Sequence, residues 1–505
     1  MLTIGAVVRM SADTFGEREA LVSGDRRISF AQLAREVDGA MAWLVAQDIQ
    51  RGNKVALQGR NSIPWVVACY AVVSLGAVVV PISHKLAPAE TAYILGNSDC
   101  CLWLVDADVY RGTAVEDRPG IAVFTLDGDS VDGVPAFTPL EHARIGAGST
   151  EALDSGELAE LLYTSGTTGR PKGCMHNHAN VLLAGIASSL VYGLGPADRV
   201  LLAMPLSHSF PLNNLLIASM YVGACVVLLP EYHAQRFVQT VEDEKCTLFF
   251  GPPIAYLAPL RSLPDFDRYD LSSVRAWLYG GGPIDATTAH LLMQRYRTTG
   301  FYQVFGMTET GPTGTALWPT EQLAKAGSIG RYAVSGCVLK LMREDGSPVA
   351  SGELGEIWMR CQSMMLGYYR DEVATAAAFR DGWYRTGDLA RADADGYLFI
   401  VDRLKDMVVT GGENVYSREV EDVLAGHPSI ADVAVIGEPH AEWGESVIAV
   451  VVLNHAHPFD QEAVRTYCAE RLARYKIPRR FDVVETLPRT PTGKLMKFKL
   501  RLTSG

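Results

Sequence analysis

Short, uninterrupted apolar runs alternate with helix-period segments through the first 330 residues, and this alternation limits the fold more than any other feature. Ala31–Ala46 reads as a helix, while Lys54–Leu57, Val78–Ile82, Val200–Ala203 and Leu248–Phe250 read as strands. Such alternation predicts α/β layers built on largely parallel sheets. Between Gly330 and Val401 the texture changes. Strand-like Val338–Met342 and Glu356–Arg360 are separated by Asp-Gly and Pro-rich turns, which predicts a more barrel-like, antiparallel stretch. After strand-like Tyr397–Val401 and the charged Asp402–Asp406 comes a compact α+β pattern. Its helices are Glu419–Ala425 and Gln461–Leu472, and its strands Val433–Ile436 and Val447–Leu453. The expected division is a large N-terminal domain, 1–401, and a small C-terminal domain, 402–505. No internal repeat is visible.

One segment could be taken for a membrane span. Asn61 to Ser83 carries no charge, but Pro64, Gly76 and Pro81 punctuate it and Ala77–Val80 is a short, largely β-branched run. A buried helix, a glycine turn and a buried strand fit better, so no membrane span is expected. At 505 residues with a net charge of −12, the chain is too long for one compact core and poorly suited to nucleic acid. Nine scattered cysteines with no C-x-x-C pair suggest reduced thiols rather than a zinc cluster or a disulfide framework. With no signal-like N-terminus, a cytoplasmic protein is the expectation.

The strongest motif is Leu161-Leu-Tyr-Thr-Ser-Gly-Thr-Thr-Gly-Arg-Pro-Lys-Gly173. Its glycines let backbone amides approach phosphate oxygens, and its hydroxyls with Lys172 add donors. A Walker A loop cannot be laid over it. This stretch resembles the signature of the adenylate-forming, AMP-binding superfamily. The resemblance extends in order through Gly280-Gly-Gly-Pro283, Gln303-Val-Phe-Gly-Met-Thr-Glu309, Gly352-Glu-Leu-Gly-Glu356, Trp383-Tyr-Arg-Thr-Gly-Asp388, Asp402-Arg-Leu-Lys-Asp406 and Pro488-Arg-Thr-Pro-Thr-Gly-Lys494. It implies two doubly wound α/β subdomains plus a distorted β-barrel, followed by a small mobile α+β domain. The implied activity is that of the acyl- and aryl-CoA ligase branch, with ATP, Mg²⁺ and coenzyme A.

The chemistry expected of such an enzyme agrees with the residues present. Joining a carboxylate to AMP brings two anions together, so the site needs cations and oriented dipoles at the α-phosphate. By resemblance, Thr164, Ser165, Gly166, Thr167, Thr168, Gly169 and Lys172 hold phosphates. Thr308 donates to the α-phosphate, and Glu309 with Thr164 holds Mg²⁺. Phe305 stacks on adenine, Gly280, Gly281 and Gly282 border the adenine and acyl groups, and Asp388 and Arg403 contact ribose. The resemblance also implies that Lys494 bridges the acid and the α-phosphate and that Lys405 is the hinge about which the C-terminal domain turns. That turn is expected to bring the Val409–Asn414 segment, with Gly411 and Gly412, to a pantetheine tunnel. Arg474, Lys476, Arg479 and Arg480 either contact coenzyme A phosphates or form a solvated basic face.

No Asp, Glu, Lys or Arg lies between Val200 and Pro230, which argues against an α-amino acid substrate. Pocket candidates are His208, Phe210, Tyr256, Trp277, Gly282 and Val304, a mostly apolar set suited to a fatty or aromatic acid. Each taken alone is also ordinary core packing. Many relatives carry Gly where Val304 stands, so a bulky straight chain is disfavoured. The competing readings are a stand-alone enzyme loading a separate carrier protein or an amine, activation of an inorganic oxyanion, a luciferase-like oxygenase, and a non-catalytic scaffold. No carrier domain is expected to be fused, and a homodimer is compatible with the resemblance.

Overall fold

The computed structural model describes residues 2–113, 120–128, 130–141, 153–164, 170–454, 456–489 and 495–503. Two compact units emerge. The first comprises Met1–Ser165, Pro171–Leu339 and Met359–Tyr384; the second is built mainly from Lys340–Trp358 and Arg385–Gly505.

Two large sheets organise the first unit. One has seven strands in the order Gly367–Tyr368, Lys172–Asn177, Leu158–Thr164, Val78–Ile82, Lys54–Gln58, Cys100–Val105, Ala122–Thr125. From Leu158–Thr164 onward neighbouring strands are parallel; the first two pairings are antiparallel. The other sheet has eight strands, with a parallel centre from Phe301–Gly306 through Ala276–Tyr279, Leu248–Gly251, Arg199–Leu202 and Cys225–Leu228 to Glu19–Ser23. The strands expected from short apolar runs are these central ones, buried as parallel strands require. One contiguous core draws on both sheets and on the helices Phe30–Ala46, Ile63–Ser74 and His178–Tyr192.

The uncharged segment folds as helix, turn and strand. Ser62 caps the 12-residue helix Ile63–Ser74 by accepting from the Trp65 amide at 3.3 Å. Gly76 turns at φ 75°, and every residue of Val78–Ile82 is buried. No helix of the described residues is long and apolar enough to cross a membrane.

A five-stranded sheet formed by Cys337–Met342, Leu354–Cys361, Trp383–Ala392, Phe379–Arg380 and Leu398–Arg403, antiparallel where Trp383–Ala392 meets its last two partners, accounts for the change of texture after Gly330. The long C-terminal stretch of the second unit begins at Arg385, ahead of the charged run at 402, for a local reason. Trp383–Ala392 pairs with Leu398–Arg403, Asp388 lying opposite Arg403. Buried Asp402 in turn accepts from the Ser417 amide at 2.5 Å, at the start of the helix Ser417–Ala425. In the rest of the second unit, Gly444–Leu453 runs antiparallel to Ile430–His440 and parallel to Arg480–Val483.

Candidate active site

In the first unit, the strand Phe301–Gly306 ends in a single tight turn, Thr308–Thr310. Gly311 closes it at φ 74°, and a Cβ there would lie 2.2 Å from the Ser363 carbonyl, so only glycine fits. Thr310 faces inward, fully buried, donating to the Thr313 carbonyl at 2.6 Å. Thr308 and Glu309 are left half-buried, where an incoming group can reach them. Thr308 Oγ1 lies 3.1 Å from Ser209 Oγ. His176 Nε2 donates to the Thr308 carbonyl at 2.9 Å, so that nitrogen carries the proton. Burial pushes the His176 pKa down to about 4, keeping the ring a neutral brace.

The Glu309 carboxylate accepts from the Tyr368 hydroxyl at 3.0 Å, and the Lys172 ammonium sits 5.2 Å from the centre of the Tyr368 ring. Burial, then the nearby Glu309 charge, pushes the Tyr368 pKa up, so the phenol stays a donor. Thr164 pairs with Lys172 across the hairpin of Leu158–Thr164 and Lys172–Asn177. The Cys174 thiol beside them is fully buried, and burial, then the Glu309 charge, pushes its pKa well above the usual thiol range. Among the described residues no three His, Cys, Asp or Glu side chains gather as a metal cage. One carboxylate with neighbouring hydroxyls nonetheless fits Mg²⁺, which takes few protein ligands and completes its shell with phosphates and water.

Phe305 is half-buried on the same strand. A Cβ at Gly280 would lie 2.9 Å from the Val304 carbonyl oxygen, 3.1 Å from a Val304 methyl and 3.3 Å from the Phe250 ring. Phe250 packs on Phe210 with centroids 4.3 Å apart. Gly281 adopts φ 79°; a Cβ at Gly282 would come no closer than 3.9 Å to Pro253. His208 Nε2 is buried without a partner among the described residues, and burial, with His84 nearby, pushes its pKa down to about 4.

Tyr256 and Trp277 are not brought to this group. Strand pleating sends Leu278 and Val304 into the core shared by the two sheets, whereas Trp277 and Tyr279 point to the other face. There Trp277 and Tyr256 pack fully buried among Phe237, Phe249, Tyr296 and Phe301, and Tyr256 donates to the Leu278 carbonyl. Both are core.

The second unit holds a different group. Arg403 Nε donates to Asp388 Oδ1 at 3.1 Å. The turn before Asp388 hangs on buried Glu356, which accepts from the Gly387 amide at 3.0 Å, Arg385 Nε at 3.1 Å and Trp358 Nε1 at 2.9 Å. The charged run is thus only partly a solvated face: Asp402 and Asp406 are buried, while Leu404 and Lys405 are exposed. Gly411 and Gly412, at φ 60° and 83°, form the two-residue turn between Val408–Thr410 and Glu413–Val415. The Gly411 amide donates to the Trp443 carbonyl at 2.8 Å. Lys476 is paired with Glu419 at 2.7 Å and Arg480 with Glu438 and Asp482, while Arg479 lies over the Trp443 ring at 4.9 Å. Lys494 and Ser165, Gly166, Thr167, Thr168 and Gly169 lie outside the described residues.

Sequence reasoning missed His176, Ser209 and Tyr368, which brace the Thr308–Glu309 turn from three separate segments. Only contacts distant in sequence reveal them. It also missed Glu160, for which a signal existed: an acid inside the apolar strand Leu158–Thr164. Its carboxyl is 1% exposed and accepts from Asn213 Nδ2 at 2.5 Å. Asn213 sits in Phe210–Ile217, a π-helix, a form frequent near functional sites.

Comparison with known proteins agrees with this geometry. The AMP-binding enzyme profile matches residues 8–369, and the AMP-binding enzyme C-terminal domain profile matches 419–494. The chain is 34% identical to long-chain-fatty-acid–CoA ligase FadD13 of Mycobacterium tuberculosis, over 99% of this chain and 98% of that protein. The solved structure of o-succinylbenzoate CoA synthetase (MenE) from Bacillus subtilis with its acyl-adenylate intermediate superposes with a TM-score of 0.85. It is 29% identical and covers 98% of this chain and 97% of its own. A second structure of that synthetase, with ATP and magnesium ion, gives a TM-score of 0.86 at 30% identity, covering 98% of both chains. The chain therefore belongs to the AMP-binding enzyme family.

Proposed function

We propose that the chain is an ATP-dependent carboxylic acid–CoA ligase whose acid is apolar and compact, aromatic or short aliphatic. The observation that carries the activity is the Thr308–Glu309 turn, with its hydroxyl and carboxylate held beside Lys172 and Tyr368. In the first half-reaction a carboxylate oxygen attacks the α-phosphorus and the bond to pyrophosphate breaks. Thr308 donates to the α-phosphate, Lys172 answers phosphate charge, and Phe305 with the Gly280–Gly282 run receives adenine. Glu309 and Thr164 would hold Mg²⁺, which supplies charge neutralisation between phosphates. Asp388 orients the ribose hydroxyls, its carboxylate aligned by Arg403. Lys494 meets the two anions.

In the second half-reaction the coenzyme A thiol attacks the acyl carbonyl and AMP leaves. The C-terminal domain exchanges Lys494 for the Gly411–Gly412 turn by pivoting at Lys405. The size of the acid is inferred from Val304 and Phe250, which crowd the side of Gly280, and from Phe210 packed on Phe250. A pyrophosphate-release screen over aliphatic and aromatic acids, with and without coenzyme A, tests the reading. The expected result is release with short or aromatic acids and an acyl-CoA product. Release that leads to product only with a phosphopantetheinylated carrier or an amine would overturn the choice of acceptor.

A further inference from the structure

Two cysteines outside the reaction's machinery face each other at the ends of the strands Cys337–Met342 and Leu354–Cys361. The Gln362 amide donates to the Gly336 carbonyl at 2.9 Å. The two strands are neighbours in their sheet, and an antiparallel register continued from that bond puts Cys337 opposite Cys361, where paired residues exchange no backbone bond and Cα atoms approach to about 4.5 Å. That separation lies within the range a disulfide spans. Both thiols converge on Thr313: Cys337 Sγ donates to Thr313 Oγ1 at 3.1 Å, and Cys361 Sγ lies 3.9 Å from the Thr313 carbonyl oxygen. Thr313 also donates to the Thr310 carbonyl at 2.9 Å and lies 2.5 Å from Ser363 Oγ. The pair therefore sits directly behind the turn that carries Glu309.

We propose that Cys337 and Cys361 are a reversible dithiol–disulfide site, oxidised by hydroperoxide, and that closing the disulfide loosens the Glu309 turn. The nucleophile is Cys337. It is half-buried, whereas Cys361 is 7% exposed. Hydrogen bonding to Cys361 lowers its pKa, while burial raises that of Cys69, Cys100, Cys101, Cys174, Cys225, Cys246 and Cys468. The Cys337 thiolate attacks one peroxide oxygen, the O–O bond breaks, and the departing hydroxide takes a proton to become water. Cys361 then loses its proton and attacks the sulfenic sulfur, the S–O bond breaks, and a second water leaves. Two thiols and one peroxide give one disulfide and two waters. Both S–H donors are consumed, so Thr313 keeps its bonds to Thr310 and Ser363 but loses its two sulfur contacts. A small dithiol reverses the reaction.

The bond itself is independent of the proposed activity; its effect on the Glu309 turn rests on that reading. The reduced full-length protein is exposed to a few equivalents of hydrogen peroxide, alkylated under denaturing conditions and weighed intact. The expected result is two fewer alkylated thiols, a cross-link mapped between the peptides of Cys337 and Cys361, and full recovery with dithiothreitol. Cys361→Ser should instead accumulate a dimedone-reactive adduct at Cys337, and Cys337→Ser should give neither. Acid-dependent pyrophosphate release should fall in step with the cross-link and return on reduction, while Cys337→Ser keeps its activity through the same treatment. Free thiols at both positions after exposure would overturn the site. A complete cross-link with unchanged release would overturn its coupling to the turn.

Discussion

The Thr308–Glu309 turn of the first unit and the Gly411–Gly412 turn of the second are both short reversals at the ends of strands, yet they are held in opposite ways. Buried Thr310, Thr313, Ser363 and His176 grip the first, leaving only Thr308 and Glu309 accessible. The second is exposed, with one amide bond to Trp443 and nothing within 4 Å of a Cβ built at Gly412. A dipole that must stabilise developing charge gains by costing no reorganisation, which favours the braced turn. A segment that must arrive and leave gains by carrying few bonds to break.

The largest expected effect tests that contrast at its extremes. Lys494→Ala should lower adenylation by roughly 100- to 1000-fold, the loss of one preorganised donor at about 2.7–4 kcal/mol, while sparing thioester formation from supplied acyl-adenylate. Lys405→Pro should do the reverse. Lys405 is the third residue of a turn in which the Asp406 amide donates to the Arg403 carbonyl at 2.9 Å, and proline there forces Leu404 out of the conformation the turn needs. Separate assays of the two half-reactions check both variants; equal losses in each would break the contrast. Glu309→Gln comes next. It retains an oxygen for Tyr368 but removes the charge, so KM for magnesium-ATP should rise and kcat/KM fall on the order of 100-fold. A change confined to the acid's KM would contradict the metal role.

A smaller effect concerns the acid. Val304→Gly removes the side chain whose methyl crowds Gly280, and should shift the kcat/KM ratio of a ten-carbon acid to benzoate upward by about 10-fold. An unchanged ratio in a correctly folded variant would place the size limit elsewhere.

Sequence alone made the sheets legible, because strands such as Val78–Ile82, buried along their whole length, must be apolar without alternation. The same property hid the site. In a strand apolar on both faces, nothing local says which residues look toward the ligand, so Trp277 and Val304 read alike although pleating sends them to opposite faces. Motif order located Thr308, Glu309, Asp388 and Arg403, whereas Tyr368 reaches Glu309 through contacts distant in sequence, the pairing of Gly367–Tyr368 with Lys172–Asn177 and the Met365 amide's bond to the Glu309 carbonyl. Polar groups inside the core are the remaining gap, and Glu160 is the clearest.

Glu160 supplies a prediction of a different kind, one of stability rather than rate. Burial raises its pKa from 4.5 to about 8, opposed only by the Asn213 hydrogen bond, so the folded protein holds the carboxyl protonated at neutral pH. The unfolded chain releases that proton above pH 4.5, whereas the folded chain keeps it until about pH 8. Across that window the folded state binds more protons, and this group's contribution to stability falls as pH rises, by about 1.4 kcal/mol per pH unit. Glu160→Gln retains an acceptor for Asn213 and cannot ionise. Its Tm should therefore match or fall below that of the wild type near pH 5 and exceed it by several degrees at pH 8, as measured by calorimetry across the range. Parallel Tm curves would mean that Glu160 is already ionised in the folded protein, and the strand beneath Thr164 would then be carrying a buried charge rather than a neutral acid.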